Sequence, residues 1–259
     1  MVIEKLVVKT GTQCSLRCKK CGEFNPYLSQ KGKGFSLSAN ELADDVFKIY
    51  QCIDRVKCVH VAGGEPLLHR DLFLFLSFLF GLNNIERVEI VTNGTIIPDA
   101  VTMHTLSVNK GKAIVLISDY SASGVDNRSV VNALEEAGVS YHLMSDMVWK
   151  DKSEASYKRL SEEELLLIAN NCDTFRQASY FSLINGVVTA HCPTAGSLLY
   201  YHDLYEQCPD HYFDLRSVPD GEVRSELSKL LTNSALPMCQ YCVPSYLAEK
   251  CPAGEQIDF

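Results

Sequence analysis

The sequence has no apolar run long enough to cross a bilayer. The longest, Leu72 to Leu82, is interrupted by Ser77 and Gly81. It falls short of the ~20 residues a spanning helix needs, so it reads as a buried helix of a globular domain. The amino-terminal stretch turns polar by Thr10 after a brief apolar start at Val2 and Ile3, too short for the apolar core of a secretion signal. No Lys/Arg block exceeds the patch from Arg17 to Lys20, and the formal net charge is −8 with an isoelectric point near 5.4. A basic surface able to track phosphates is therefore lacking, so neither nucleic acid nor a membrane is an expected partner. The histidines show no H-x3-H pairing, which gives them no expected metal role. Internal repeats and low-complexity tracts are also missing. At 259 residues and 46% hydrophobic content, the chain suits one large domain, or one domain with a small appendage, folded without covalent staples.

Cysteine is abundant. Eleven are present, an odd number, in a chain with no export signal. That combination argues against a disulfide framework and for metal-bound thiolates in a reducing cytosol, so a cytoplasmic location is expected.

Residues 1–145 alternate short β-branched runs with amphipathic stretches of helical period, the pattern of repeated βα units and a parallel sheet. Strands are expected over residues 3–8, 58–62, 88–92, 113–118 and 139–143. Helices are expected near 38–53, 70–80, 98–107 and 127–137, with Ser38 as a cap and Gly138 as a C-terminal stop. A charged stretch from about residue 146 leads to Ser161-Glu-Glu-Glu, which opens a capped helix ending near Asn171. A second, smaller module is expected beyond it, with Asn185-Gly186 as a hairpin turn between two short apolar runs.

Parallel α/β folds place their chemistry in the segments that follow the strands. After the first expected strand, Cys14, Cys18 and Cys21 stand in the spacing C-x3-C-x2-C. A closed zinc or iron–sulfur site takes four ligands, so three thiolates in one loop imply a remote fourth ligand or an open coordination position. An open iron accepts a small bidentate ligand, such as the amino and carboxylate groups of an amino acid. After the second strand comes Gly63-Gly64-Glu65-Pro66, after the third Asn93-Gly94, and the fourth runs through Ser118-Asp119-Tyr120.

The cysteine spacing and its position resemble the radical S-adenosylmethionine (SAM) superfamily. The resemblance implies a 4Fe-4S cluster on Cys14, Cys18 and Cys21 with SAM on its open iron. It implies that Gly63, Gly64 and Glu65 approach the SAM amino group, that Ser118 and Asp119 meet the ribose, and that Asn93 lies near the cofactor. Family members usually carry an aromatic residue before the third cysteine; Lys20 stands there in this chain, and Phe24 is the nearby apolar cover. Zinc on the three cysteines plus a distant fourth is the competing reading, but it does not account for Gly63 to Pro66.

Cys172, Cys192, Cys239 and Cys242 form a second set: one at a helix end, one beyond the hairpin and a C-x2-C pair downstream. Four thiolates around a hairpin suit a pocket in a module with little core of its own. The set resembles the twitch domain of radical SAM dehydrogenases, a shortened SPASM domain, which implies an auxiliary 4Fe-4S cluster; zinc on the same four ligands is the alternative. Cys52 and Cys58 read as small buried hydrophobes. Cys208 and Cys251 read either as structural residues or as thiols that donate a hydrogen atom to a substrate radical. Trp149 and Tyr120 read as pocket lining or as packing.

The fold expected is α/β, a partial parallel (β/α)6-type barrel over residues 1–145 followed by a linker and twitch-like module over 146–259. The resemblance implies reductive cleavage of SAM to a 5′-deoxyadenosyl radical, hydrogen abstraction from a small polar substrate, and a flavodoxin- or ferredoxin-type electron donor. A dehydrogenase would oxidise a carbohydrate or aminocyclitol alcohol to a ketone, whereas an epimerase of a sugar or peptide would quench the radical with Cys208 or Cys251. A non-enzymatic zinc or iron–sulfur protein is the third reading.

Overall fold

The computed structural model describes residues 1–145, 149–151, 157–176, 179–244 and 246–257. Strand β1 (Val2–Lys9) leads through the cysteine loop to a short helix α1 (Asn25–Gln30). Four βα repeats then follow: α2 (Ala39–Tyr50), β2 (Arg55–Ala62), α3 (Leu72–Gly81), β3 (Ile85–Thr92), α4 (Ala100–Val108), β4 (Ala113–Ser118), α5 (Arg128–Glu136) and β5 (Tyr141–Met144). A two-residue strand β6 (Trp149–Lys150) precedes α6 (Glu162–Asn171), β7 (Tyr180–Ile184), β8 (Val187–Ala190), α7 (Pro193–His202), β9 (Tyr212–Asp214), α8 (Val223–Leu231) and β10 (Lys250–Cys251). Much of the charged linker expected after residue 145 lies outside the described residues.

Local chemistry explains the boundaries. Ser38 and Glu41 close a capping box on α2, and Ser161 and Glu164 do the same on α6, each pair satisfying helix-start N–H groups. Gly138 takes φ +62° just past α5, the left-handed conformation that terminates a helix. At the β7–β8 turn Asn185 and Gly186 both have positive φ, 49° and 80°, as a two-residue hairpin requires. Among the described residues no helix is long and apolar enough to cross a membrane; the apolar run Leu72 to Leu82 forms α3, whose Leu72, Phe75, Leu76 and Leu79 are buried.

The main sheet has the order β5-β4-β3-β2-β1-β7-β8-β9. Its first six strands run parallel, and β8 and β9 add antiparallel to the edge of β7. The α/β class and mostly parallel sheet are therefore as expected. The hairpin is placed differently from the expectation: β7 pairs with β1 and supplies the sixth parallel strand of the main sheet, rather than standing in a separate module. Alternation along the strands sorts the two faces. Val59 and Val61 of β2, and Val88 and Ile90 of β3, join Leu42, Val46, Phe75, Leu79, Leu106 and Leu134 from the helices in one buried core. The opposite face carries Val7, His60, Ala62, Val91 and Tyr180, which line a cavity instead.

Candidate cofactor site

Above the C-terminal ends of the parallel strands lies a cavity of about 510 Å³. Cys14, Cys18 and Cys21 all line it, together with Gly63, Gly64, Asn93 and Ser118. The cysteine loop is held by the Gly-Gly turn: Gly64 N–H donates to Gly11 O at 2.9 Å and Glu65 N–H to Gln13 O at 2.8 Å. Glycine is required there, because a Cβ on Gly64 would lie 1.9 Å from Gln13 O, and Gly63 has φ +152° with Gly11 O 2.7 Å from the site of a Cβ.

Each thiol has a donor beside it. Asn93 Nδ2 donates to Cys14 Sγ at 3.5 Å, Asn25 Nδ2 to Cys21 Sγ at 3.8 Å, and Gln256 Nε2 to Cys18 Sγ at 3.5 Å. Burial pushes all three thiols up, Cys18 to about 12, so as free groups they hold their protons. A bound cation reverses that preference and makes thiolates of them. Three ligands of a single zinc ion would bring their sulfurs within about 4 Å of one another. These three do not gather within 4.8 Å, although Cys18 is close enough to sense both others. A four-iron cube spreads its cysteines over separate irons, a spacing that three thiols of one loop standing apart can meet.

A second, small apolar cavity collects Cys172, Cys192, Cys239 and Cys242. Burial again raises the Cys239 thiol, with the other three cysteines adding to the shift. Thr194, in the first turn of α7, lines both this cavity and the larger one. The four thiols likewise form no group within 4.8 Å among the described residues.

Residues 8–103 match the Radical SAM superfamily. Among curated relatives, the GTP 3′,8-cyclase of Campylobacter lari is 29% identical over 97 residues, covering 37% of this chain and 29% of that protein. The GTP 3′,8-cyclase of Staphylococcus aureus is 30% identical over 101 residues, covering 37% and 28%. The matched part thus spans less than a third of the curated relatives. Over the whole length the fold is similar to a solved structure, BtrN in complex with AdoMet and 2-DOIA, at 16% identity and a TM-score of 0.56, covering 100% of this chain and 98% of that one. These findings support a radical SAM fold around the first cysteine loop.

Several radical SAM expectations are placed differently by the structure. Glu65 does not reach the cavity. Its carboxylate is buried and turned inward, accepting from Leu67 N, Thr92 Oγ1 and Asn93 N at 3.1, 2.8 and 2.8 Å; it sets Asn93 rather than meeting a ligand. Asp119 is not among the lining residues, and its Oδ1 accepts from Ser121 N at 2.9 Å, while its neighbours Ser118 and Tyr120 line the cavity. Cys208 is buried in an apolar cluster with Phe24, Leu28, Leu236 and Met238, and lines neither cavity. Burial pushes its thiol up to about 11. Cys251 pairs with Trp149 on β10 and is also outside the lining.

Trp149 and Tyr120, read from the sequence as pocket lining or as packing, do both: they line the cavity and pack edge to face, with ring centroids 5.3 Å apart. The C-terminal contacts on the cysteine loop were not read from the sequence. The segment 250–257 crosses the cysteine loop: Lys19 N–H donates to Glu255 O at 2.7 Å, Ile257 N–H to Arg17 O at 2.8 Å, and Arg17 N–H to Gln256 Oε1 at 2.7 Å. Phe24, with φ +56°, lines the cavity and stacks on Tyr201 at 5.0 Å. Lys9, 2% exposed, donates to Glu23 O at 3.0 Å beneath it.

Proposed function

We propose that this chain is a radical SAM dehydrogenase of a small polar alcohol, of the carbohydrate or aminocyclitol class. In this reading Cys14, Cys18 and Cys21 hold a 4Fe-4S cluster, and Cys172, Cys192, Cys239 and Cys242 hold a second. When bound, the first cluster and SAM supply a radical able to take hydrogen from an unactivated carbon. A second cluster with all four irons held by cysteine leaves none open to substrate, which suits it to accept an electron.

The residues of the chain support this as follows. Asn93, Asn25 and Gln256 orient the loop thiols through N–H···S contacts. The glycine turn packs directly on the backbone of residues 11–13, where any side chain would collide, and so seats the cysteine loop at the cavity. Trp149, Tyr120 and Tyr180 wall the cavity with aromatic surface that excludes water from a reactive carbon. The observation that carries the reading is that four cysteines, far apart in sequence, converge on one cavity that shares Thr194 with the SAM-type cavity. Epimerisation would need a hydrogen-donating thiol at the cavity, and neither Cys208 nor Cys251 lines it.

The test is anaerobic reconstitution followed by turnover of sugar and aminocyclitol alcohols. Two four-iron clusters, about eight irons per chain, are expected, falling by half in Cys239→Ala. The product should be oxidised by two electrons and carry no solvent deuterium. Deuterium at an inverted carbon would replace this reading with epimerisation, and failure to cleave SAM would remove both.

A further inference from the structure

A third constellation lies under the cavity, apart from both cysteine sets. Cys58 and His60 are two residues apart on β2, so their side chains leave the same face of the strand. Glu89 on β3 is the register partner of His60, and Arg87 that of Cys58. The Cys58 sulfur, a His60 ring nitrogen and a Glu89 carboxylate oxygen all lie within 4.8 Å of one another.

We propose that Cys58, His60 and Glu89 form a mononuclear divalent-metal site suited to zinc. Thiolate, imidazole and carboxylate are the three donor types zinc takes, and in a tetrahedral site such atoms sit about 3.5 Å apart. His60 and Glu89 are already in contact and the Cys58 sulfur lies within 4.8 Å of both, so seating a metal asks that pair to part and the sulfur to stay near. The His60 Nε2 atom directly contacts Glu89 Oε2 and has no other polar partner, so a metal takes the place of the proton between them. The second Glu89 oxygen is held by Arg87 Nε at 2.7 Å, the outer contact that fixes a metal-binding carboxylate in a single-oxygen mode. Glu89 and His60 are well shielded, with side chains 9% and 16% exposed.

Access and the open position follow from the surroundings. Cys58 and Arg87 line a second opening of about 550 Å³ at the opposite end of the strands, with Lys5, Lys57 and Tyr180. His60 lines the upper cavity. The site thus lies between the two openings, with entry from below and a fourth position left to water or to a group in the upper cavity. Three protein ligands plus an open position is the pattern of zinc acting as a Lewis acid rather than as a structural clamp.

The test uses the full chain with both cysteine sets already loaded with iron and sulfide, dialysed against zinc alone. Zinc should bind at one per chain, and the zinc-edge X-ray absorption spectrum should show a single sulfur with nitrogen and oxygen. His60→Ala and Glu89→Gln should each weaken binding by more than tenfold, and Arg87→Gln by about tenfold. Equal zinc uptake by wild type and His60→Ala would overturn the site, as would a spectrum with four sulfurs, which would put zinc on the C-terminal cysteines. No zinc uptake would also overturn it and leave His60 and Glu89 as an ion pair. The absorption measurement needs no variant, so it decides the matter even where a substitution unfolds the chain. SAM cleavage is not read at any point, so this result stands apart from the dehydrogenase reading.

Discussion

Gly64→Ala should cost more than any other single-methyl addition at the glycine turn. The new Cβ would stand 1.9 Å from Gln13 O, 2.4 Å from Gln13 C and 2.8 Å from Thr12 O. Carbon and oxygen rest about 3.3 Å apart at closest, so the cysteine loop must retreat by roughly 1.4 Å. All the obstructing atoms are backbone, which cannot rotate away. The retreat breaks the Gly64 N–H bond to Gly11 O and the Glu65 N–H bond to Gln13 O, at about 1 kcal/mol each. Overpacking adds about 1–3 kcal/mol. The sum, about 3–5 kcal/mol, is a large share of the ~5–15 kcal/mol that holds a typical domain together. Gly22 is the control, since it lies in the cysteine loop on which Gly64 packs but has nothing within 4 Å of a Cβ. Anaerobic urea unfolding of the cluster-free proteins, followed by far-ultraviolet circular dichroism, should give Gly22→Ala a midpoint near wild type and Gly64→Ala a much lower one. Equal midpoints for the two variants would mean that the backbone of residues 12 and 13 gives way to the methyl group without cost.

Other consequences can be measured on single variants of the full chain, with or without clusters. Gln256→Leu removes the donor to Cys18 Sγ; because hydrogen bonds to cluster sulfurs raise the potential, a redox titration of the first cluster should show a more negative midpoint. Glu65→Gln replaces an acceptor that serves three donors with an amide that turns an N–H toward one of them, so urea unfolding should show a loss of about 1–3 kcal/mol. Burial holds His191, His202 and His211 below the usual imidazole value of 6.5. The folded chain then binds fewer protons than the unfolded one, so this stability is complete above pH 6.5 and is lost as pH falls through the lower folded values. Unfolding free energy measured across that window should decline toward acid, and less steeply in His191→Gln.

Much of the architecture was legible because its signals are local. The capping boxes at Ser38 and Ser161, the stop at Gly138 and the Asn185-Gly186 turn each act within a few residues. Strand pairing is not local, and nothing in residues 180–184 announces that they lie beside β1 instead of closing a separate module. The cysteine sets were legible as spacing, and both converge in space. Carboxylates at strand ends were not, since a Glu or Asp there can point to a ligand or fold back on nearby N–H groups, as Glu65 and Asp119 do. Cys58 read as a small hydrophobe because its partners, His60 and Glu89, face it only once β2 and β3 are in register. The segment 250–257 carries no periodic pattern, so its position over the cysteine loop emerges only from the fold.

The central claim is that three loop thiolates hold a cluster whose fourth iron is free for SAM. Electron paramagnetic resonance of reduced Cys239→Ala protein, which leaves the first cluster alone, tests it most directly. Addition of SAM should change the spectrum, and Cys18→Ala introduced into the same protein should abolish the signal. A spectrum indifferent to SAM, or a SAM-responsive cluster that survives without Cys18, would contradict the account.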